Sequence, residues 1–184
     1  MITIRHETPF DAAQREALLD AAFGNFRFTK TAERLREGRR PAEGLSFVAC
    51  AGDRLIGTVR LWNIAAGRGR PALLLGPLAV ESDFRQCGIG GDLVRHALAQ
   101  AQRHRHRAVL LVGDAPYYGR FGFAAEKTGA LSLPGPYRAT GCWPASSCRA
   151  RSKVLVGSCE QPAGPSRTPL PRRLLPVGPA VVRR

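Results

Sequence analysis

One stretch decides the fold of this 184-residue chain, Leu78-Ala-Val-Glu-Ser-Asp-Phe-Arg-Gln-Cys-Gly-Ile-Gly-Gly-Asp-Leu-Val94. An apolar run ends in a loop that carries Arg85-x-x-Gly88-x-Gly90, and an amphipathic segment follows at once. Apolar residues in that segment recur at helical spacing, at Ile89, Leu93, Ala97, Leu98 and Ala101. The stretch therefore predicts a strand, a glycine-rich turn and a helix in direct succession.

The predicted turn has the properties of an anion site. The first turn of a helix has backbone N–H groups without internal partners, and the helix dipole adds about half a positive charge there. A Cβ would hold a phosphate away from these groups, so glycines favour its approach. Gly88, Gly90 and Gly91 lie too close together for Gly-x-Gly-x-x-Gly, and no Gly-Lys-Ser/Thr follows, which excludes a P-loop. A pyrophosphate cradle of another kind and a plain turn into a helix both remain open.

A second stretch carries aromatic residues, Val109-Leu-Leu-Val-Gly-Asp-Ala-Pro-Tyr-Tyr-Gly-Arg-Phe-Gly-Phe123. Its apolar start, residues 109–112, predicts a short buried strand. Pro116 suits the first turn of a short helix, and Gly122 suits its end. From the residues alone, the two tyrosines between them are expected to pack the helix against the sheet.

Together the two stretches resemble the GNAT superfamily of N-acetyltransferases. Arg85-x-x-Gly88-x-Gly90 matches that family's Arg/Gln-x-x-Gly-x-Gly/Ala motif, and Tyr118-x-x-x-Gly122-Phe123 matches its downstream motif. The resemblance covers about residues 1–137. Within the family, the residues of the two stretches are most similar to those of a bacterial branch of predicted acetyltransferases. It implies an α/β fold of the α+β type, in which a central mixed sheet is splayed between two strands and has helices on both faces.

The resemblance also implies an activity and a cosubstrate. The family transfers an acetyl group from acetyl-CoA to a primary amine of a small molecule or peptide, by direct attack in a ternary complex and without a metal. It places the pyrophosphate mostly against backbone N–H groups of the turn, and the pantetheine arm along the preceding strand. The residues concerned are Arg85, Gln86, Cys87, Gly88, Ile89, Gly90 and Gly91 for the turn, and Leu78, Ala79 and Val80 for the strand.

The proton chemistry is only partly implied by the resemblance. Tyr118 is the candidate general acid, since a tyrosine with an ordinary pKa of about 10 stays protonated at neutral pH. Packing is the alternative role for Tyr118, and the expected role for Tyr117. Glu81 and Asp114 lie near the ends of the two central strands and are candidate general bases, although each also fits a solvated loop carboxylate. A water chain is equally open, because the asparagine often found before the family's tyrosine helix is absent here.

Two further features admit two interpretations each, and a third has one. The basic run Arg103–Arg107 fits a helix C-terminus, where cations complement the dipole, or a contact with the 3′-phosphate of coenzyme A. Trp62 and Phe84 fit core packing or the lining of a substrate pocket. The early Arg39-Arg40-Pro41 run fits a surface loop.

The remaining elements follow from local patterns. Gly76-Pro77 interrupts the central strand, where a proline cannot donate to the ladder, so a bulge or splay is expected there. Asp11 is a candidate helix cap. The other predicted elements are a strand at 2–5, a helix ending near Phe23, a helix capped by Thr29 or Thr31, and a hairpin of residues 46–51 and 55–63.

The composition changes after Tyr137. Residues 138–184 hold nine of the 28 Lys and Arg residues but one acidic residue, together with seven of the 14 prolines. Prolines at this density oppose sustained regular structure, so this Pro/Arg-rich basic tail is predicted to be largely disordered and to lack the domain's terminal strand. Degenerate codons over residues 141–163 permit a shifted frame that encodes a helix and a strand. We hypothesise a frameshift here, and an in-frame gene sequence without an indel would refute it.

Composition bounds the class of protein and its partners. A net charge of +14 keeps a nucleic-acid-binding protein open as an alternative, but much of the excess lies in the tail and no reader motif accompanies it, so nucleic acid is an unlikely partner. A coenzyme A-binding domain without turnover is a third alternative. Neither a long apolar run nor a leader-like start is seen, so a cytoplasmic monomer or homodimer without membrane contact is expected. The five cysteines lack metal or disulfide spacing, which favours reduced thiols.

Overall fold

The computed structural model describes residues 1–24, 27–28, 31–66, 69–125 and 152–158, and these build one six-stranded sheet. The strands lie in chain order, and β4 with β5 is the parallel pair while the other neighbouring pairs are antiparallel. The strands are β1 Ile2–His6, β2 Pro41–Ala51, β3 Arg54–Ala66, β4 Arg70–Val80, β5 Ala108–Asp114 and β6 Ser152–Ser158. The helices are α1 Ala12–Phe23, α2 Thr31–Arg34, α3 Ile89–Arg103 and α4 Ala115–Gly119.

Helices cover both faces of this sheet because successive strand residues point to opposite sides. On β2, Phe47 and Ala49 belong to the core that packs under α3, whereas Val48 between them packs with Leu18 and Leu19 of α1. The apolar positions expected on α3 are buried, from Ile89 to Ala101. The expected mixed sheet with helices on both faces is confirmed.

The sheet opens between its two central strands. β4 and β5 pair at only two positions, Leu73 with Val109 and Leu74 with Leu110. Opposite Gly76-Pro77, the register between β3 and β4 shifts, so that one residue of β3 faces two residues of β4. The bulge and splay expected from the proline are therefore confirmed, and they leave the end of β4 without a neighbour on its β5 side.

Strand β6 corrects the expectation that a terminal strand is missing. It pairs antiparallel with β5 along its whole length, from Ala108 opposite Ser158 to Asp114 opposite Ser152. The segment from 145 to 161 contains no proline, and its centre, Lys153-Val-Leu-Val156, is rich in β-branched residues, which favour strands. For these seven residues the prediction of disorder was wrong, because the proline density was averaged over the whole tail. The rest of the tail lies outside the described residues, as do most residues of the proposed frameshift. Thr29, a candidate helix cap, also lies outside them.

The start of α1 differs in detail from its prediction. Asp11 holds the N-cap position of α1, but its carboxylate turns back to the preceding loop. It accepts hydrogen bonds from the Thr8 N–H at 2.7 Å, from the Thr8 hydroxyl at 2.8 Å and from both terminal nitrogens of Arg5 at 2.7 Å. Arg5 therefore holds the pKa of Asp11 well below its usual range. The group ties β1 to the start of α1.

Asp11→Asn is expected to lower the free energy of unfolding at pH 7 by about 1–3 kcal/mol, the cost of losing charge-assisted bonds at a buried carboxylate. Because the folded-state pKa is depressed, the stabilisation is present above the unfolded pKa of about 4 and fades as pH falls below it. Urea unfolding at pH 7 and pH 3 measures this, with exposed Asp53→Asn as the control. An equal difference between wild type and variant at both pH values would contradict it.

Candidate functional site

The turn between β4 and α3 has an unusual backbone. After a single 3₁₀ turn at Ser82–Phe84, Gln86 has φ 70° and Gly88 has φ 83°. A non-glycine residue with positive φ is uncommon, and such conformations concentrate at binding and catalytic sites. The left-handed residues let the chain pass from the turn directly into the first turn of α3.

Several amides of this turn are available to a ligand. The first helical bond of α3 runs from the Asp92 N–H to the Gly88 carbonyl at 3.0 Å. The N–H groups of Ile89, Gly90 and Gly91 precede it and have no partner within the helix. Together with the dipole of the 15-residue helix, they make a site suited to a phosphate group.

Two predicted donors are engaged elsewhere. The Arg85 N–H donates to the Ser82 carbonyl at 3.1 Å, and the Cys87 N–H donates to the Phe84 carbonyl at 3.4 Å. The exposed Arg85 side chain donates through Nε to the Val80 carbonyl at 3.3 Å. That the turn holds the diphosphate mostly through backbone N–H groups stays a prediction, and the turn's own hydrogen bonds engage those of Arg85 and Cys87.

The free edge of β4 presents alternate residues. The Glu81 N–H donates to the Ile56 carbonyl of β3 at 2.9 Å, so the polar groups of Glu81 face β3. Backbone groups alternate along a strand. Those of Leu78 and Val80 therefore face the gap toward β5, whereas those of Ala79 face β3. Leu78 and Val80 are placed to pair with an extended ligand, while Ala79 can offer such a ligand only its side chain.

A cleft joins this edge to the start of α3. It runs from the end of α1, past the last residues of β4, to the glycine turn and α4. Its lining residues are Ala22, Phe23, Leu78, Ala79, Val80, Arg85, Gly90 and Tyr117. The splay and the amide-rich turn are thus parts of one continuous site.

Tyr118 is packed beside this cleft. Its ring lies 4.8 Å from the ring of Tyr117 and 5.9 Å from that of Phe123, centroid to centroid. Burial is the largest cause that raises the pKa of Tyr118 to about 12, and the neighbouring Tyr117 and Asp114 contribute to the same rise. The phenol therefore stays protonated at neutral pH and well above it.

Gly113 is a site residue that the sequence analysis missed. It lies in β5 beyond the last position paired with β4, and a Cβ built on it would lie 2.4 Å from a ring carbon of Tyr118. No side chain fits at that distance. Gly113 thus allows the Tyr118 ring to lie directly against the splayed part of β5. A glycine near the end of an apolar strand, five residues before the tyrosine, was the available signal.

Gly113→Ala is expected to lower the free energy of unfolding by about 1–3 kcal/mol, because the new methyl group overpacks against the Tyr118 ring. Chemical denaturation measures the loss. Gly119→Ala is the matched control, since nothing lies within 4 Å of a Cβ there and alanine is the better helix former. Equal stability of the two variants would show that Tyr118 does not lie against Gly113.

The two candidate bases lie outside the lining of the cleft. Glu81 forms an ion pair with Arg54 at the start of β3. The Asp114 side chain accepts a hydrogen bond from the Tyr117 N–H at 3.2 Å and caps α4. Both carboxylates thus have structural partners, although the second carboxylate oxygen of Glu81 is buried without a hydrogen-bond partner among the described residues.

The structure also locates the other residues for which the sequence left two interpretations open. Trp62 is buried, and its indole N–H donates to the Gly76 carbonyl at 2.6 Å, so it supports the bulge in β4. Phe84 packs against the core under α3. Neither lines the cleft. Arg103–Arg107 begins at the last residue of α3, about 20 Å along the helix from the glycine turn, so a contact with a ligand bound at that turn is not supported.

The described residues hold few other functional features. Within them, no group of three or more His, Cys, Asp or Glu side chains could hold a metal ion. None of the helices that the structure describes is long and apolar enough to cross a membrane. Of the two cysteines in the described part, Cys50 is buried in the core and Cys87 is exposed, and both are free thiols.

Comparison with known proteins identifies the family. A family model described as the acetyltransferase (GNAT) family matches residues 12–123. The chain belongs to this family, whose members are acetyl-CoA-dependent acyltransferases. The resemblance stated from the two motifs is thereby confirmed.

Individual relatives agree with this assignment. The chain is similar to the uncharacterized N-acetyltransferase YjhQ of Escherichia coli strain K12, with 30% identity over 80% of this chain and 84% of that protein. Among solved structures, it is similar to the GNAT family N-acetyltransferase YhbS of Escherichia coli in complex with CoA, with TM-score 0.64, 28% identity and coverage of 86% and 82%. A Brucella melitensis GNAT family acetyltransferase in complex with acetyl-CoA has TM-score 0.59, 32% identity and coverage of 77% and 94%.

Proposed function

We propose that this chain transfers the acetyl group of acetyl-CoA to a primary amine of a small molecule or peptide. The observation that carries the proposal is the single cleft in which the free edge of β4 leads to the unpaired amides at the start of α3. An extended, partly polar arm that ends in a diphosphate matches those two features in that order. Solved relatives are complexes with CoA or acetyl-CoA, which supports the same ligand here.

The residues present fit this cosubstrate. The N–H groups of Ile89, Gly90 and Gly91 would hold the diphosphate, and the backbone of Leu78 and Val80 would pair with the pantetheine arm. When bound, acetyl-CoA supplies a thioester carbon for the amine to attack. The opening between β4 and β5 supports a reaction at the level of Leu78, between the faces covered by α1 and α3.

Tyr118 is proposed as the acid that protonates the departing thiolate. Its position in the Tyr-x-x-x-Gly-Phe motif, its raised pKa and its ring held against the splayed part of β5 support this role. Among the described residues that line the cleft there is no cysteine or serine, which favours direct attack by the amine in a ternary complex. The proton of the incoming amine would pass to water, or the acceptor would bind as the neutral amine that its own ionisation equilibrium supplies.

Thiol release with a panel of amines tests the proposal. Purified protein is mixed with acetyl-CoA and, in turn, small primary amines, amino acids and peptides with free amino groups. Free thiol should appear faster with at least one amine than with water alone. Binding of acetyl-CoA without acceleration by any amine would favour a coenzyme A-binding domain without turnover. Absence of binding, combined with salt-sensitive retention of DNA that depends on residues 138–184, would favour the nucleic-acid alternative.

A further inference from the structure

Tyr117 reaches across the cleft to the start of α3. Its hydroxyl oxygen lies 3.0 Å from the position that a Cβ on Gly90 would occupy, and a methyl group of Val80 lies 3.6 Å from that same position. The tyrosine belongs to α4, whereas Gly90 is in the first turn of α3. Both line the cleft. Its hydroxyl is therefore a polar group beside the unpaired amides, contributed by a separate element.

Packing accounts for the ring of Tyr117 but not for its hydroxyl. The ring contacts those of Tyr118 and Phe121, with centroids 4.8 and 5.7 Å away. The Asp114 carboxylate binds the backbone N–H of Tyr117, so it fixes the start of α4 and leaves the phenol group uninvolved. A phenylalanine would make the same ring contacts. The hydroxyl instead adds a hydrogen-bond donor to the wall of the cleft.

The charge around Tyr117 favours an anion. The guanidinium of the exposed Arg120 lies 4.1 Å from the centroid of the Tyr117 ring. Asp92, the acidic residue in the first turn of α3, is neutralised by Arg95 at 2.6 Å. The Asp114 carboxylate lies at the start of α4, bound to the Tyr117 N–H, while a phosphate beside the Tyr117 hydroxyl would meet the positive charge of Arg120 and of the α3 dipole.

We propose that the Tyr117 hydroxyl donates a hydrogen bond to the ligand's diphosphate, opposite the amides of α3. The inference rests on the proposed function, because it takes acetyl-CoA as the ligand of the cleft. It assigns different roles to two adjacent tyrosines: Tyr117 binds the cosubstrate, and Tyr118 donates the proton. The requirement for glycine at position 90 then has two causes, access of the phosphate to the amide and room for the hydroxyl.

Tyr117→Phe tests the inference, with two acyl donors. Acetyl-CoA carries the diphosphate, and S-acetylpantetheine lacks it. The variant is expected to bind acetyl-CoA about tenfold more weakly, as loss of a bond to a charged group predicts, while the Kd of S-acetylpantetheine stays within about twofold. Tyr118→Phe is the matched control, since it removes the same atom one residue away and should leave the Kd of acetyl-CoA unchanged. An unchanged Kd for Tyr117→Phe, or equal weakening of both donors, would overturn the assignment.

A double-mutant cycle checks the geometry without any ligand. Gly90→Ala should destabilise the protein less in the Tyr117→Phe background than in the wild type, because the methyl group then has room. Equal losses in both backgrounds would show that the hydroxyl does not lie against Gly90. Equilibrium binding needs no acceptor amine. Tyr117-dependent binding of CoA without thiol release would therefore refute the transfer reaction and leave this inference standing.

Discussion

Tyr118→Phe is expected to lower kcat about 100-fold or more, because general acid catalysis contributes at least that factor to many transfer reactions. The ring contacts of Tyr118 with Gly113 and Phe123 are kept in the variant, so its fold and its Kd for acetyl-CoA should match those of the wild type. Steady-state kinetics at saturating amine measures the change. Unchanged turnover across the pH range would show that Tyr118 only packs.

The pH dependence of this variant is a second part of the same prediction. Since burial raises the pKa of Tyr118 to about 12, its acid form persists to about pH 11 and is lost only as pH rises beyond that. Below about pH 11, loss of the Tyr118 proton should therefore not lower the kcat of the wild type. The ratio of the two kcat values should stay constant from pH 7 to 10. A ratio that collapses near pH 10 would mean an unperturbed phenol.

Gly90→Val is expected to weaken acetyl-CoA binding by about 100-fold or more. The φ of Gly90 lies outside the left-handed region, so valine is compatible with the backbone and the effect comes from the volume of its side chain. The branched side chain would crowd the Tyr117 hydroxyl and cover the unpaired amides of α3. Two charge-assisted hydrogen bonds lost at about 1.5–3 kcal/mol each account for a factor of this size.

Isothermal titration with acetyl-CoA measures this effect, and the melting temperature of the ligand-free variant reports on its fold. Gly119→Ala, at an exposed position with open space around it, is the control and should bind like the wild type. If a folded Gly90→Val variant bound acetyl-CoA with the wild-type Kd, the diphosphate could not lie on the first turn of α3.

The sequence predicted those parts of the fold that depend on local patterns. Glycine spacing and helical periodicity after Val80 predicted the turn and α3, and Gly76-Pro77 predicted the opening of the sheet, because a proline removes a ladder donor wherever it lies. These signals act within a few residues. The family resemblance then supplied the expectation of a central mixed sheet with helices on both faces.

The rest depends on contacts between distant segments. Strand β6 is stabilised by pairing with β5, which lies more than 30 residues earlier, and the proline-rich tail around it obscures that signal. The hydrogen bonds that engage the N–H groups of Arg85 and Cys87 lie within the turn. The positive φ of Gln86, between those two residues, has no signal in the sequence, because glutamine has no special preference for it. The approach of Tyr117 to Gly90 joins α4 to α3 and has no local signature.

The proposed function requires that the amides at the start of α3 bind the diphosphate of acetyl-CoA. A crystal structure of the protein with CoA would show whether they do. We expect phosphate oxygens within about 3 Å of the backbone nitrogens of Ile89, Gly90 and Gly91, and the pantetheine arm along Leu78 and Val80. A diphosphate bound elsewhere, with those nitrogens facing solvent or protein atoms, would contradict it.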